Sequence, residues 1–176
     1  GKPEVEILSA EIVAACDAIE YYAKRAKKVL ADRTVPLHLM KSKKLRLVHR
    51  PLGVVGIITP WNFPFILALN PTVQALAAGN AVVLKPSEAT PMTGHLVEEL
   101  FREAGLPEGL VTCVLGDGGT GAALVEAGVD KIAFTGSVRT GRKVAEACGR
   151  QLIPCTLELG GKDPMIVCDD ADIERA

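Results

Sequence analysis

Residues 53–85 read GVVGIITPWNFPFILALNPTVQALAAGNAVVLK, and this stretch decides the fold. Val54-Val55-Gly56-Ile57-Ile58-Thr59 is a β-branched run that predicts a strand. A helix is expected over 65–78, and Ala81-Val82-Val83-Leu84-Lys85 makes a second strand. Both strands are apolar on both faces, the pattern of strands covered by helices on two sides. The unit then repeats. A helix is expected from about 92 to 104, a strand over 110–115, a short helix over 120–127 and a strand over 131–135. A helix over 137–148, a fifth strand from Ile153 to Leu159 and a sixth at Met165-Ile166-Val167-Cys168 complete the series. Strands alternating with amphipathic helices, joined by right-handed crossovers, predict an α/β fold: a doubly wound, mostly parallel, Rossmann-like sheet with helices on both faces.

Upstream of Gly53 the pattern differs. Ile12, Cys16, Ile19, Ala23, Ala26 and Leu30 recur at helical spacing and predict one apolar stripe. Ser9 is the expected N-cap, Glu11 falls in the first turn, and Lys27 and Lys28 suit the last. Leu45, Leu47 and, less clearly, His49 alternate with Lys44, Arg46 and Val48 and predict a half-exposed strand ending at Pro51. Residues 1–52 are therefore expected to form an N-terminal helix and an accessory basic strand, and residues 53–176 the sheet domain.

Charge and cysteine content narrow the partners. Twenty Lys+Arg against 21 Asp+Glu leave a net charge of −1. Ten of the cations fall between Lys24 and Arg50 with one acid, Asp32, yet no aromatic residue interleaves them to stack a base. The stretch reads as a solvated basic face, and no nucleic-acid partner is expected. Five cysteines, an odd number without a C-x-x-C pair, fit neither a disulfide framework nor a zinc site and point to a reducing, cytoplasmic setting. No His/Cys/Asp/Glu set has metal-ligand spacing, so no metal is expected. The most apolar stretch, 52–79, is broken by Pro60, Asn62, Pro64, Asn70, Pro71 and Gln74, and no membrane partner is expected. The sequence opens on Gly1 and stops soon after an acidic helix start, Asp169-Asp170-Ala171-Asp172, and reads as a piece of a longer protein.

In a doubly wound sheet, ligands bind beyond the carboxyl ends of the strands where the strand order switches. Five polar or glycine-rich runs would gather there: 60–64, 85–88, 116–119, 136–137 and 158–162. Gly136 would let a phosphate approach the free N–H groups of the following helix, with Ser137 adding a donor, or the pair is an ordinary helix cap. Gly116 and its neighbours line a nucleotide or form a plain loop. Lys85 and Glu88 meet ribose hydroxyls or form a surface ion pair. Asn62 donates to an oxyanion or makes an Asx-turn. Glu158, emerging from an apolar strand and expected to be desolvated, is a general base or a paired structural carboxylate.

Together the runs say more. In this order and spacing, I-I-T-P-W-N-F-P (57–64), K-P-S-E (85–88), F-T-G-S-x-x-x-G (134–141) and L-E-L-G-G-K (157–162) resemble the aldehyde dehydrogenase superfamily. The resemblance runs across essentially the whole chain. It implies a cofactor site for NAD, with NADP possible, whose pyrophosphate meets the helix start at Gly136 and Ser137. It implies that Ile58 and Trp61 lie along the cofactor, that Lys85 and Glu88 meet the adenosine ribose, and that Ser87, Gly116, Gly141 and Leu159 complete the contacts. Asn62 would serve the oxyanion hole and Glu158 would be the general base. The implied reaction oxidises a small-molecule aldehyde to a carboxylic acid through a cysteine thiohemiacetal and thioester, in a homo-dimer or homo-tetramer. The family's nucleophile lies a few dozen residues beyond L-E-L-G-G, whereas this sequence stops 18 residues past Glu158. None of the five cysteines takes that role by resemblance, and the isolated chain is expected to be inactive. The alternative is a non-catalytic nucleotide-binding or structural relative that kept the fold.

Overall fold

A computed structural model describes residues 2–174; Gly1, Arg175 and Ala176 lie outside the described residues, and the helix start expected at Asp169 runs only as turns through Glu174. The chain opens on a helical turn α1 (Glu4–Glu6), a π-helical stretch (Ile7–Ile12) and helix α2 (Val13–Val29). A two-stranded antiparallel ribbon follows, β1 (Arg33–Val35) on β2 (Leu45–Leu47). The strand expected around Leu45 is β2; its partner β1 carries no alternation long enough to read in advance.

The main sheet contains β3 (Val54–Ile58), β4 (Ala81–Lys85), β5 (Val111–Cys113), β6 (Lys131–Gly136) and β7 (Cys155–Leu159). Their order is β5-β4-β3-β6-β7, and every neighbouring pair is parallel. The helices between them are α3 (Ile66–Ala77), α4 (Pro91–Glu103), α5 (Gly118–Glu126) and α6 (Val138–Gln151). This is the doubly wound α/β sheet that the alternation predicted. Two cores divide its faces. Val55, Ile57, Val82 and Leu84 pack with Leu69 of α3, Val97 of α4 and Ala15 of α2. On the other face Ile58, Ile132 and Phe134 pack with Leu124 of α5 and Val144 and Cys148 of α6.

Polar side chains fix the sheet's start. Asn80 accepts from the Leu52 and Gly53 N–H groups at 2.6 and 3.1 Å and donates to Ala75 O at 3.0 Å. Asp130 accepts from the Val54 N–H at 2.7 Å, so the entries to β3, β4 and β6 are tied together.

Three expectations need correction. Ser9 is not an N-cap: it lies inside the helical segment, its hydroxyl donating to Val5 O at 2.7 Å. The stripe on the first helix is also rotated. Glu11 and Ala15 are buried, Ala18, Tyr22, Ala26 and Leu30 are half-buried along the same line, and Ile12, Cys16 and Ile19 are exposed. Small alanines let α2 approach α3 closely, and Glu11 finds its partners only in this rotation. Finally, Met165–Cys168 is not a strand; Met165 and Ile166 are 69% and 85% exposed, and β7 is the last strand of the sheet. An extended run with no neighbouring ladder to join has no partner for its backbone groups.

Candidate functional site

The chain leaves β3 for β4 and β5 on one side and returns across the sheet to place β6 and β7 on the other. The ends of β3 and β6 are therefore adjacent, while the helices that follow them cover opposite faces. That crevice is where a ligand fits in such sheets. Thr59-Pro60-Trp61 leaves one lip and Gly136-Ser137 the other.

On the α5/α6 face, Ile58 stands in register with Lys85 of β4 and Phe134 of β6. Gly121, in the first turns of α5, faces both: a Cβ there would lie 3.8 Å from Ile58 Cδ1 and 3.9 Å from Lys85 Cδ. Lys85 is 4% exposed, and its Nζ lies 3.5 Å from Glu88 Oε2, whose side chain is mostly in solvent. The pair is thus buried at the lysine end only. An ammonium carries three donors, so this contact leaves capacity for a ligand's hydroxyl groups. Ser87 is buried and accepts from the Ala89 N–H at 3.2 Å, fixing the turn that presents Glu88.

The glycine-rich run after β5 is more ordered than a plain loop. Gly116 has φ +153°, and a Cβ on it would strike the Thr120 side chain. Asp117 then caps α5, accepting from the Gly119 N–H at 2.8 Å, so this helix begins two residues earlier than expected. Ser137 caps α6 likewise: its Oγ accepts from the Thr140 N–H at 3.2 Å and donates to Thr140 Oγ1 at 3.0 Å. This does not exclude an anion, because the first N–H groups of a helix still point outward beyond the cap. Gly141 is a packing glycine; a Cβ there would lie 2.4 Å from Leu159 Cδ2, so its absence lets α6 lie on the end of β7.

Glu158 faces the other side. It pairs in register with Thr135, and both line a cleft of about 620 Å3 together with Ile66, Leu67 and Asn70 of α3. The burial expected for Glu158 is not found: β7 is an edge strand, and its carboxylate is exposed. Trp61 and Asn62 are also exposed, on the turn between β3 and α3. Among the described residues no hydrogen bond engages the Asn62 side chain, and the Phe65 N–H is already taken by Glu11 at 2.8 Å. The fold therefore gathers Ile58, Lys85, Ser87 and Glu88 at one lip and Gly136, Ser137, Gly141 and Leu159 at the other. Glu158 stands on the opposite face.

Lys2 was not singled out in advance, and Glu11, expected in the first turn of the helix, lies instead well inside the helical segment, in its π-helical stretch. Glu11 is 3% exposed, which an acid on an apolar helix could have signalled. Among the cysteines, burial pushes the Cys113 thiol up to about 11, with the Glu98 carboxylate adding to the rise. Burial also raises Cys148, with Cys155 beside it contributing. Cys16 and Cys168 are exposed. At pH 8, iodoacetamide is expected to label Cys16 and Cys168 first, leaving Cys113 and Cys148 unmodified until the fold is lost; peptide mapping reads this directly. Because the Cys113 thiol binds its proton more tightly in the folded chain, its contribution to stability is full below pH 9 and disappears as pH rises towards 11.

The architecture is that of a Rossmann-like α/β protein. All 176 residues match the family model described as the aldehyde dehydrogenase family. The sequence is 47% identical over 178 residues to 4,4'-diapolycopene aldehyde oxidase of a Methylomonas species, covering 100% of this chain and 34% of that protein. In solved structures it superposes on the NAD+ complex of aldehyde dehydrogenase from Bacillus cereus, with TM-score 0.88, 41% identity, 99% of this chain and 35% of that one. Mycobacterium tuberculosis aldehyde dehydrogenase complexed with NAD+ matches at TM-score 0.88 and 39% identity, over 99% of this chain and 36% of that one. The chain belongs to the aldehyde dehydrogenase family. It spans about a third of the length of the relatives it matches. Among the described residues, no helix is long and apolar enough to cross a membrane.

Proposed function

We propose that residues 53–176 form the nucleotide-binding layer, with residues 1–52 as its accessory layer, of an NAD-dependent enzyme that oxidises a small-molecule aldehyde to a carboxylic acid. The observation that carries the reading is Lys85: a buried ammonium at the switch point with donors to spare, next to Ile58 and the bare Gly121. A dinucleotide fits this setting. Lys85 and Glu88 would hold ribose hydroxyls, Ile58 and Trp61 would lie along the cofactor, and the start of α6 at Gly136 and Ser137 would face the pyrophosphate. Bound there, NAD supplies the hydride acceptor. NAD+ complexes among the similar solved structures support the choice.

Asn62, whose amide is free of partners among the described residues, would donate to the aldehyde oxygen as charge develops on it. Glu158, solvent-accessible beside Thr135, would take the proton from the attacking water. This reading gives the nucleophile's role to none of the five cysteines, neither the raised thiols Cys113 and Cys148, nor Cys155 in β7, nor the exposed Cys16 and Cys168, and holds the isolated chain inactive. Cysteines that are all free suit a cytoplasmic setting. The exposed residues Val5, Leu8, Ile12, Val13 and Ile19 would be covered in a homo-dimer or homo-tetramer of the intact enzyme.

Binding tests the reading. Trp61 is the one tryptophan in the sequence, so NAD binding to this segment is expected to change its fluorescence. In the intact enzyme, NAD is expected to bind about tenfold or more tightly than NADP, because Glu88 opposes a 2′-phosphate. Glu88→Ser should narrow that ratio, with Lys85 then free to pair with the phosphate. Equal affinities in the parent would remove the assignment of Glu88.

A further inference from the structure

The Trp61-Asn62 turn is held from outside the sheet. Glu11 lies in the π-helical stretch, and its carboxylate accepts from the Phe65 N–H at 2.8 Å and the Ile66 N–H at 3.4 Å. It thereby caps α3, whose own first residues offer no side-chain cap. Lys2 Nζ donates to Glu11 Oε1 at 2.8 Å and to the backbone oxygen of Asn62 at 2.6 Å, and stands 3.9 Å from the centre of the Phe63 ring. The two side chains are 20% and 4% exposed. A carboxylate this buried is tolerated because a cation and two N–H groups surround it. The contacts bridge 60 and 54 positions of sequence, so this is tertiary and not local stabilisation. π-helical turns concentrate at functional sites, and here the turn carries Glu11.

We infer that Lys2 and Glu11 act as positioning residues, clasping the backbone at the Asn62 carbonyl and at the Phe65 and Ile66 N–H groups that follow it, so that the Asn62 side-chain amide faces the reacting oxygen. The inference rests on the proposed role of Asn62. Oxyanion donors are effective when they need no reorganisation as charge develops, and a misplacement of about 1 Å can cost about a hundredfold in rate. Asn62 itself has no side-chain bond among the described residues to hold it, so the backbone clasp supplies the aim. Nucleotide contacts at Lys85 and Gly136 lie away from the clasp and are expected to be indifferent to it.

The test is a double-mutant cycle in the intact enzyme. Asn62→Ala is expected to lower kcat about 10²–10³-fold. Lys2→Met, which keeps the side chain's bulk, is expected to lower kcat about 10–100-fold, with the KM for NAD rising by no more than the few-fold that Trp61 on the same turn would transmit. In the Asn62→Ala background Lys2→Met should cost nothing further, and Lys2→Arg should recover most of the parental rate. Glu11→Gln should follow Lys2→Met; if it fails to fold, Lys2→Met carries the test alone. A slow Asn62→Ala beside a fully active Lys2→Met overturns the clasp and leaves the Asn62 reading standing. The same loss from Lys2→Met in both backgrounds, or a KM for NAD that rises as steeply as kcat falls, also overturns the clasp, since that is general structural damage. An Asn62→Ala enzyme at the parental rate removes the Asn62 reading and the clasp together.

Discussion

Replacing Glu158 with glutamine in the intact enzyme is expected to slow steady turnover by about two to four orders of magnitude while sparing the first turnover. Glutamine keeps the size of the side chain and its register opposite Thr135, but it cannot accept a proton from water. On the proposed thioester route NADH would form before water is needed, so the variant should release about one equivalent of NADH per site in a burst and then stall. Rapid-mixing absorbance at the NADH band separates the two phases. The exposed setting of Glu158 sharpens the contrast with a structural role. A solvent-facing carboxylate on an edge strand contributes little to stability, and a structural change there would scale burst and steady rate together. A variant that folds normally and turns over at the parental rate would remove Glu158 as the base.

Leu84→Ala is expected to destabilise the fold by about 2–5 kcal/mol. Leu84 is fully buried in the strand that pairs with both β3 and β5, opposite Ile57 on one side and Cys113 on the other. It belongs to the core shared with Leu69, Val97 and Ala15, so three helices would close on the cavity only by shifting against one another. Urea titration should show a lower midpoint at an unchanged slope. Leu39→Ala removes the same atoms from a residue 86% exposed and should move stability by no more than about 0.5 kcal/mol. Equal effects from the two would mean that the sheet is not the cooperative core.

The parallel sheet was legible because its strands are apolar on both faces and its helices are not. That contrast places β3, β4 and β6 within about a residue of where they lie. The rim was legible for the same reason: glycines and polar residues directly after strand ends have few purposes other than turns and ligands. What stayed hidden depends on contacts between distant segments. The rotation of α2 is set by Glu11 reaching Phe65 and Ile66, a partnership that no periodicity encodes. Met165–Cys168 has strand composition, but pairing needs a neighbour, and composition does not supply one. Glu158 illustrates the limit most directly. Alternation along β7 placed it on the face away from Leu157 and Leu159, yet what covers that face is a property of the assembled layers.

The strand order has a consequence for how this polypeptide comes off the ribosome. β3, β4 and β5 lie close in sequence and can associate with α3 and α4 as soon as residue 113 has emerged. The second edge of β3 must wait: the Val54 N–H finds Asp130 only 76 positions later. At synthesis rates of about 5–20 residues per second, that edge stays open for about 4–15 s. An unpaired apolar strand edge is a template for mispairing, so the half-built sheet is the nascent species most exposed to aggregation and to chaperone capture. The lip at Gly136, proposed for the nucleotide, is made by the same late strand. A dinucleotide bound at the proposed site would therefore stabilise only the completed sheet and not the nascent one.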